Sequence, residues 1–192
     1  MGIKIGVLAL QGAFREHSIM LDKLGASSTE VRKPEHLEGI DALVIPGGES
    51  TTIGKLMAEY GLLEPIREMG QKGLPILGTC AGMVLLADKI KGSDQPRIGL
   101  LEMEVVRNGF GRQVDSFEEE LKIKALGEAP FRAVFIRAPY VERVGSSVEV
   151  LAAYGDRIVM VKKGKILACA FHPELTDDPR VHKYFLEIIE TP

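Results

Sequence analysis

The chain has 192 residues, a length typical of one domain, and its 45% apolar and 27% charged residues exclude a disordered protein. The 24 Lys and Arg residues against 27 Asp and Glu residues give a net charge of −3, which argues against a nucleic-acid-binding surface. Its two cysteines, Cys80 and Cys169, form no disulfide framework, and no apolar run is long enough to span a bilayer. We therefore expect a single cytoplasmic domain over residues 1–192.

The first half of the chain alternates apolar runs with segments of helical periodicity. The opening run IKIGVLAL has the nearly continuous apolar character of a strand buried on both faces of a parallel sheet. Ser50 and Thr51 are predicted to cap a helix. The strand–helix repeat predicts an α/β sheet with right-handed crossovers. The predicted strands are residues 3–10, 28–32, 42–45 and 75–77, and the predicted helices lie within 14–24, 50–60, 63–71 and 83–87.

After residue 88 the segments become shorter and several alternate apolar with polar residues. Turn residues at 155–156 and 163–164 separate the last three predicted strands, which indicates a hairpin meander. Pro179 then starts a closing helix with an apolar face. The whole pattern predicts one α/β domain with a mixed sheet. The strands predicted here are residues 102–107, 118–124, 133–137, 148–154, 157–161 and 166–171.

Residues 78–82, GTCAG, lie between a predicted buried strand and a predicted helix. This G-x-C-x-G pattern is typical of a nucleophile elbow with cysteine in place of serine. The helix that follows would favour a thiolate on Cys80, and the backbone N–H of Ala81 would stabilise an oxyanion. The alternative is that Cys80 is a small buried apolar residue beside a glycine-rich turn.

A catalytic cysteine requires a base, and the chain has four histidines. His172 follows a predicted strand, and the carboxyl end of a strand is where open α/β sheets build their sites. Glu174 stands two residues later and could hold the imidazole in one tautomer. We interpret His17 as a packed core or groove residue and His182 as a surface residue, while His36 lies in a polar turn.

Together these motifs resemble the class I, or triad, glutamine amidotransferases. More narrowly, the chain is similar to the glutaminase subunits of pyridoxal 5′-phosphate synthases, a resemblance that extends over nearly the whole chain. The elbow and the His-x-Glu motif are shared by many glutaminases, whereas PGGEST and GRQVDSFE are much narrower. The matching stretches are residues 6–12 (GVLALQG), 46–51 (PGGEST), 78–82 (GTCAG), 108–118 (NGFGRQVDSFE), 135–139 (FIRAP) and 171–175 (FHPEL).

The resemblance implies a three-layer, flavodoxin-like fold, with a mixed but mostly parallel sheet and helices on both faces. It also implies that Cys80 attacks the side-chain amide of L-glutamine, giving a glutamyl thioester and ammonia. His172 would transfer the protons and Glu174 would orient it. The backbone N–H groups of Gly48 and Ala81 would form the oxyanion hole. The positions that match glutamine-binding residues are Gly47, Gly48, Glu49, Arg107, Ile136 and Arg137.

The resemblance implies no cofactor and no metal, and a synthase subunit as the partner in a hetero-oligomeric complex. That partner would use the ammonia to make pyridoxal phosphate from a pentose phosphate and a triose phosphate. One alternative is a glutaminase that serves another amidotransferase, such as imidazole glycerol phosphate synthase. A second is a non-catalytic module that keeps only the flavodoxin-like scaffold; for Arg107 and Arg137 the alternative role is a surface ion pair.

Overall fold

The short apolar runs of the sequence become the central strands of a ten-stranded mixed sheet in the computed structural model, which describes residues 2–111 and 115–192. The strands are β1 (Lys4–Leu8), β2 (Ser27–Val31), β3 (Ala42–Ile45), β4 (Ile76–Thr79), β5 (Ala87–Ile90), β6 (Leu101–Val106), β7 (Ser116–Leu121), β8 (Phe131–Ile136), β9 (Tyr140–Val144), β10 (Glu149–Tyr154), β11 (Arg157–Lys163) and β12 (Ile166–Cys169). The helices are α1 (Phe14–Lys23), α2 (Ser50–Glu59), α3 (Leu63–Gln71), α4 (Ala81–Leu86) and α5 (Arg180–Glu190). Short 3-10 turns cover Pro34–Leu37, Lys124–Leu126 and Pro173–Leu175.

Parallel strands form one side of the sheet and mostly antiparallel strands form the other. The order is β2-β1-β3-β4-β12-β11-β9-β6-β5, with β10 paired to β11. The five strands from β2 to β12 are parallel, and β3, β4 and β12 are buried along their whole length. From β12 to β6 the neighbouring pairs are antiparallel. The predicted mixed, mostly parallel α/β sheet is therefore confirmed.

The connections place helices on both faces of the parallel strands. The chain moves from β1 to β2 in one direction along the sheet and from β3 to β4 in the other. Right-handed crossovers therefore put α1 and the α2–α3 pair on opposite faces. The carboxyl ends of β1, β3, β4 and β12 lie along the same edge, next to the point where the strand order reverses, and this is where such sheets bind ligands. No helix within the described residues is long and apolar enough to cross a membrane.

The smaller hairpin of β7 and β8 lies beside the main sheet and adds a wall to this edge. Phe117 and Phe135 stack across the hairpin with their ring centroids 4.7 Å apart. The end of β8 reaches the loop after β12, because the backbone N–H of His172 donates to the carbonyl of Val134 at 2.8 Å. The hairpin thereby joins the antiparallel part of the chain to the sheet edge.

The structure corrects several predicted boundaries. The predicted helix at 83–87 begins earlier, at Ala81, and ends at Leu86, and Ala87 starts strand β5, which was not predicted. Strand β9 was also missed. The cap of α2 is Glu49, whose side chain accepts from the first-turn N–H groups, whereas Ser50 and Thr51 lie inside the helix. The predicted hairpin meander is confirmed by the antiparallel pairing of β10 with β11 and of β11 with β12.

Candidate active site

Cys80 stands alone between β4 and α4, in a backbone conformation that L-residues rarely adopt. Its φ of 50° and ψ of −103° lie outside the broad allowed regions, as expected for a strained residue at a functional turn. Its backbone N–H donates to the carbonyl of Cys169 on the neighbouring strand at 2.8 Å. The side chain is buried, and Sγ lies 3.9 Å from the carbonyl oxygen of Ile136. The strand, the turn and the helix therefore hold the thiol in one place.

The two glycines of the elbow leave room for this turn. A Cβ on Gly82 would overlap the carbonyl oxygen of Ile45, at the end of β3. A Cβ on Gly78 would crowd the side chain of Leu86 and the backbone of Gly82. Helix α4 thus packs against β3 and β4 at a distance that only glycine permits. The spacing G-x-C-x-G follows from this close approach.

His172 lies in the loop after the neighbouring strand β12 and meets Glu174 two residues later. The ring nitrogen Nδ1 of His172 is 2.6 Å from Oε1 of Glu174, which lies on the 3-10 turn Pro173–Leu175. Burial alone would lower the pKa of His172, but its interactions with Cys80 and Glu174 raise that pKa to about 10. The imidazole is therefore protonated near neutral pH when its partners are ionised.

The carboxylate of Glu174 is buried beneath the histidine. Burial by itself would raise its pKa, but the neighbouring His17 and the hydrogen bond to His172 outweigh burial and lower that pKa. Glu174 is thus held as an anion that faces Nδ1 of His172. An anion at Nδ1 stabilises the imidazolium and leaves Nε2 for the reacting groups.

A cleft of about 290 Å³ opens above Cys80, close to the lower end of the range for small-molecule pockets. Eight of the ten residues predicted for the site line it, and Gly47 and Glu174 lie behind the lining. A Cβ on Gly47 would meet the ring of His172, so Gly47 still contacts the catalytic side. The lining residues are Gln11, Gly48, Glu49, Ser50, Cys80, Ala81, Val84, Arg107, Asn108, Ile136, Arg137, Pro139 and His172.

The loop after β3 is tied to the loop after β1. The carbonyl of Gly47 accepts from the N–H of Ala13 at 3.0 Å, and Oε1 of Gln11 accepts from the N–H of Glu49 at 2.8 Å. Because the N–H and C=O of a trans peptide point in opposite directions, the N–H of Gly48 points away from Ala13. Gln11 was not among the predicted site residues, although it follows the first predicted strand and so shares the sheet edge.

Glu49 and Arg107 place opposite charges at the outer part of the cleft. The carboxylate of Glu49 accepts from the N–H groups of Thr51 at 3.2 Å and Thr52 at 2.7 Å. Although burial would raise its pKa, the hydrogen bond from the hydroxyl of Thr52 at 2.8 Å and these two N–H bonds lower it. Arg107 donates to Oγ1 of Thr51 at 2.9 Å and to Oε1 of Gln95 at 2.8 Å. Within the described residues no carboxylate pairs with Arg107, so the surface ion pair considered from the sequence is absent there.

Arg137 and Ile136 complete the far wall. Arg137 is exposed and has a φ of 42°, and its N–H donates to the carbonyl of Asp115 at 2.6 Å. Asn108, also on this wall, has a φ of 49°. Asn108 begins the stretch 108–118 that carried part of the family resemblance, and residues 112–114 of that stretch are outside the described residues.

Two histidines that the sequence left outside the site lie directly behind it. His17 is fully buried, which agrees with the prediction of a packed position. His182 is also fully buried, so its prediction as a surface residue was wrong. The signal was present, because residues 182, 185 and 189 share one face of α5 at helical spacing.

Cys169, the second cysteine of the chain, takes no part in the chemistry of the site. Burial raises the pKa of the Cys169 thiol well above its usual range, so this thiol is inert. In residues 2–111 and 115–192, no group of three or more His, Cys, Asp or Glu side chains is placed to hold a metal ion.

Comparisons with known proteins find similar proteins over nearly the whole length of the chain. The model of the SNO glutamine amidotransferase family matches residues 7–191. The chain is 65% identical to pyridoxal 5′-phosphate synthase subunit PdxT of Pelotomaculum thermopropionicum, over 96% of this chain and 94% of that protein. It is 63% identical to the protein of the same name from Moorella thermoacetica, over 97% of this chain and 100% of the relative. A crystal structure of a glutamine amidotransferase superposes with a TM-score of 0.93 at 57% identity, covering 97% of this chain and 99% of the other.

Proposed function

The chain belongs to the SNO glutamine amidotransferase family, and from that premise we propose that Cys80, His172 and Glu174 are the triad with which it releases ammonia from glutamine. It is a glutaminase subunit of pyridoxal 5′-phosphate synthase, since two relatives named pyridoxal 5′-phosphate synthase subunit PdxT are 63–65% identical to it over nearly its full length. The observation that carries the triad is the strained Cys80 at the elbow, beside an imidazole that Glu174 holds at 2.6 Å.

The reaction begins when the Cys80 thiolate attacks the side-chain amide carbon of glutamine. The carbonyl π electrons move onto oxygen, which becomes the oxyanion of a tetrahedral intermediate. Protonated His172 gives its Nε2 proton to the amide nitrogen, the carbon–nitrogen bond breaks, and ammonia leaves a glutamyl thioester. Neutral His172 then takes a proton from water, which attacks the thioester. Collapse of the second intermediate expels the Cys80 thiolate and releases glutamate.

We assign the oxyanion to the backbone N–H groups of Ala81 and Gly48. Ala81 begins α4, and the first N–H groups of a helix have no acceptor inside the helix. Gly48 also lines the cleft. Two N–H donors that converge on the carbonyl oxygen would stabilise the charge that develops in the transition state.

The outer part of the cleft suits the α-amino acid end of glutamine. The anionic Glu49 would receive the α-ammonium, and Arg107 or Arg137 would receive the α-carboxylate. The backbone at Ile136, whose carbonyl faces Cys80, would line the path between the two ends. Gly47 supports the histidine from behind the cleft.

The ammonia is used by a synthase subunit, the partner implied by the names of the relatives. We propose that the two subunits form a hetero-oligomeric complex through which ammonia is channelled, and that the partner builds pyridoxal phosphate from a pentose phosphate and a triose phosphate. A glutaminase that serves imidazole glycerol phosphate synthase is the alternative, and the identity to named relatives disfavours it.

The test measures ammonia release from glutamine by the chain alone and with a pyridoxal phosphate synthase subunit. We expect the partner to stimulate release, and Cys80→Ala to abolish it without loss of folding or of complex formation. Cys169→Ala is the matched control, because that thiol is buried and inert and its loss should leave turnover near the parent value. Ammonia release that persists in Cys80→Ala would overturn the triad. Activity without any response to the partner would favour another amidotransferase.

A further inference from the structure

A network of buried, polar side chains continues behind the triad. The side chains of this network that lie beyond the triad do not line the cleft. We propose that His17 is a positioning residue of the glutaminase reaction, which directs an Nε2–H toward the second carboxylate oxygen of Glu174. This inference rests on the proposed triad. It concerns how Glu174 is held and leaves the reacting groups as they are.

This network of side chains extends from the loop after β12 through α1 to α5. Nε2 of His17 lies 3.5 Å from Oε2 of Glu174 and 3.0 Å from Oγ1 of Thr79. Nδ1 of His17 lies 2.8 Å from Nε2 of His182. His17, Thr79 and His182 are fully buried. Thr79 directly precedes Cys80, so the imidazole of His17 contacts both the strand that carries the nucleophile and the carboxylate that orients the base.

The cost of burying an unpaired N–H donor favours one arrangement of protons on the two histidines. Nδ1 of His182 has no hydrogen-bond partner within the described residues. If Nδ1 carried the proton, a donor would be buried unpaired, which costs the desolvation of an N–H group. The proton of His182 therefore belongs on Nε2 and is donated to Nδ1 of His17. That assignment makes Nδ1 of His17 an acceptor and places its own proton on Nε2.

The proton on Nε2 of His17 then faces Oε2 of Glu174 and the hydroxyl of Thr79. Oε2 has no hydrogen bond of its own within the described residues, because the contact to His17 at 3.5 Å is longer than a full hydrogen bond. In the interior a carboxylate oxygen without a facing donor is strongly disfavoured. Nε2–H of His17, which lies 3.0 Å from Oγ1 of Thr79 and 3.5 Å from Oε2 of Glu174, is thus shared between the two oxygens and stabilises the anion from behind while Oε1 engages His172.

A positioning role for His17 predicts a kinetic effect that a role in packing alone does not predict. The anion that faces His172 stabilises the imidazolium, so weaker support of Glu174 would slow the proton transfers and leave glutamine binding unchanged. His17 is absent from the cleft lining, so its loss removes no contact with substrate. We therefore expect the effect in kcat and not in KM.

The experiment compares His17→Asn with His17→Gln in the full chain assembled with the synthase subunit. The amide of asparagine ends near the position of Nδ1 and keeps the contact with His182, whereas the longer glutamine places its amide near Nε2 and faces Glu174. We expect His17→Asn to lower kcat about tenfold with KM unchanged, as for the loss of one charge-assisted hydrogen bond. We expect His17→Gln to stay within about twofold of the parent in kcat.

A role limited to joining α1 and α5 would reverse this order, because only asparagine keeps the bond to His182. That order, or equal kcat values in both variants, would overturn the proposal. Thermal melting and gel filtration of each variant establish that it folds. Ammonia release that survives Cys80→Ala would overturn the triad and the role of His17 together. Release lost in Cys80→Ala but unaffected in both His17 variants would overturn only the role of His17.

A second measurement needs no substitution. The chain has only four histidines, so nitrogen NMR of the histidine-labelled protein can assign each ring. We expect a protonated Nε2 and an unprotonated Nδ1 in both His17 and His182 at neutral pH. A proton on Nδ1 of His17 would turn a lone pair toward Glu174 and would contradict the proposal whatever the kinetics show.

Discussion

At the inner end of the cleft the chemical groups are buried and bonded to one another, whereas at the outer end the groups proposed to hold glutamine lie on loops that face solvent. The inner end comprises Cys80, His172 and Glu174 with the two histidines behind them. The outer end comprises the exposed Glu49 and Arg137 and the half-buried Arg107. The first set is held by strand ends and interior hydrogen bonds, and the second by loop backbone.

The two ends should therefore respond differently to substitution. Where each polar group is held by another buried group, removing one disturbs the charge and orientation of the rest, so kcat and stability should change. Where a side chain reaches substrate from a loop, its loss removes a binding contact, so KM should change. The proposals that follow test this division from its strongest consequence to its weakest.

The largest effect is expected at His172. Asparagine at this position keeps a donor that faces Glu174 but has no group that can accept and return a proton. We expect His172→Asn to lower kcat for ammonia release by at least about a thousandfold, with KM within a few fold of the parent. Turnover is measured with the synthase subunit present. A KM that rises while kcat holds would move His172 to the substrate-binding end.

Arg107 tests the outer end in the opposite sense. Methionine keeps much of the stem but removes the charge that would meet the α-carboxylate of glutamine. We expect Arg107→Met to raise KM by about tenfold to a hundredfold, the loss of a hydrogen bond between charged groups, with kcat changed far less. Initial rates over a range of glutamine concentrations separate the two parameters.

Arg143→Met is the matched control for that experiment. Arg143 is exposed on β9 and pairs with Glu104 on β6, away from the residues that line the cleft. The change in net charge is the same in both variants, so a general electrostatic effect on glutamine would appear in both. Equal KM values in Arg107→Met and the parent would remove Arg107 from the proposed glutamine site.

Sequence reasoning identifies residues that share a short local pattern and misses contacts between distant residues, for a physical reason. The elbow and the His-x-Glu pair are short patterns in which neighbours in sequence are neighbours in space, as for His172 and Glu174. The hydrogen bonds of Arg107 join residues 56 and 12 positions apart in the chain, to Thr51 and Gln95. No local sequence pattern indicates such contacts, so the sequence could not identify Gln95 as a hydrogen-bond partner of Arg107.

The same dependence on contacts between distant residues explains the errors in the predicted fold. The central parallel strands were predicted because their apolar runs are nearly continuous, as in the fully buried β3 and β4. Strand β9 alternates too weakly, with one buried residue among five, and it is defined by its pairing with β6. His182 was predicted to be a surface residue, although in the interior it is hydrogen-bonded to a partner 165 positions away, His17.

The weakest expected effect concerns stability against acid and involves His182. Burial, and next the neighbouring His17, lower the pKa of His182 to about 3, with Glu174 opposing. The unfolded chain binds a proton there below about pH 6.5, so between pH 6.5 and 3 the unfolded state holds more protons than the folded state. The free energy of unfolding must therefore fall as the pH drops through that window, by up to about 1.4 kcal/mol per pH unit from this one group.

His182→Gln places a non-titrating amide near Nε2, where it can still donate to His17. We expect the slope of unfolding free energy against pH, measured by denaturant titration between pH 6.5 and 4, to become shallower by about one proton. His36→Gln, which removes a partly exposed imidazole from a polar turn, controls for the loss of a histidine as such. An unchanged slope in His182→Gln would mean that His182 takes up its proton in the folded protein, without unfolding. The inner end would then be as open to solvent exchange as the outer end, and the contrast between the two would not hold.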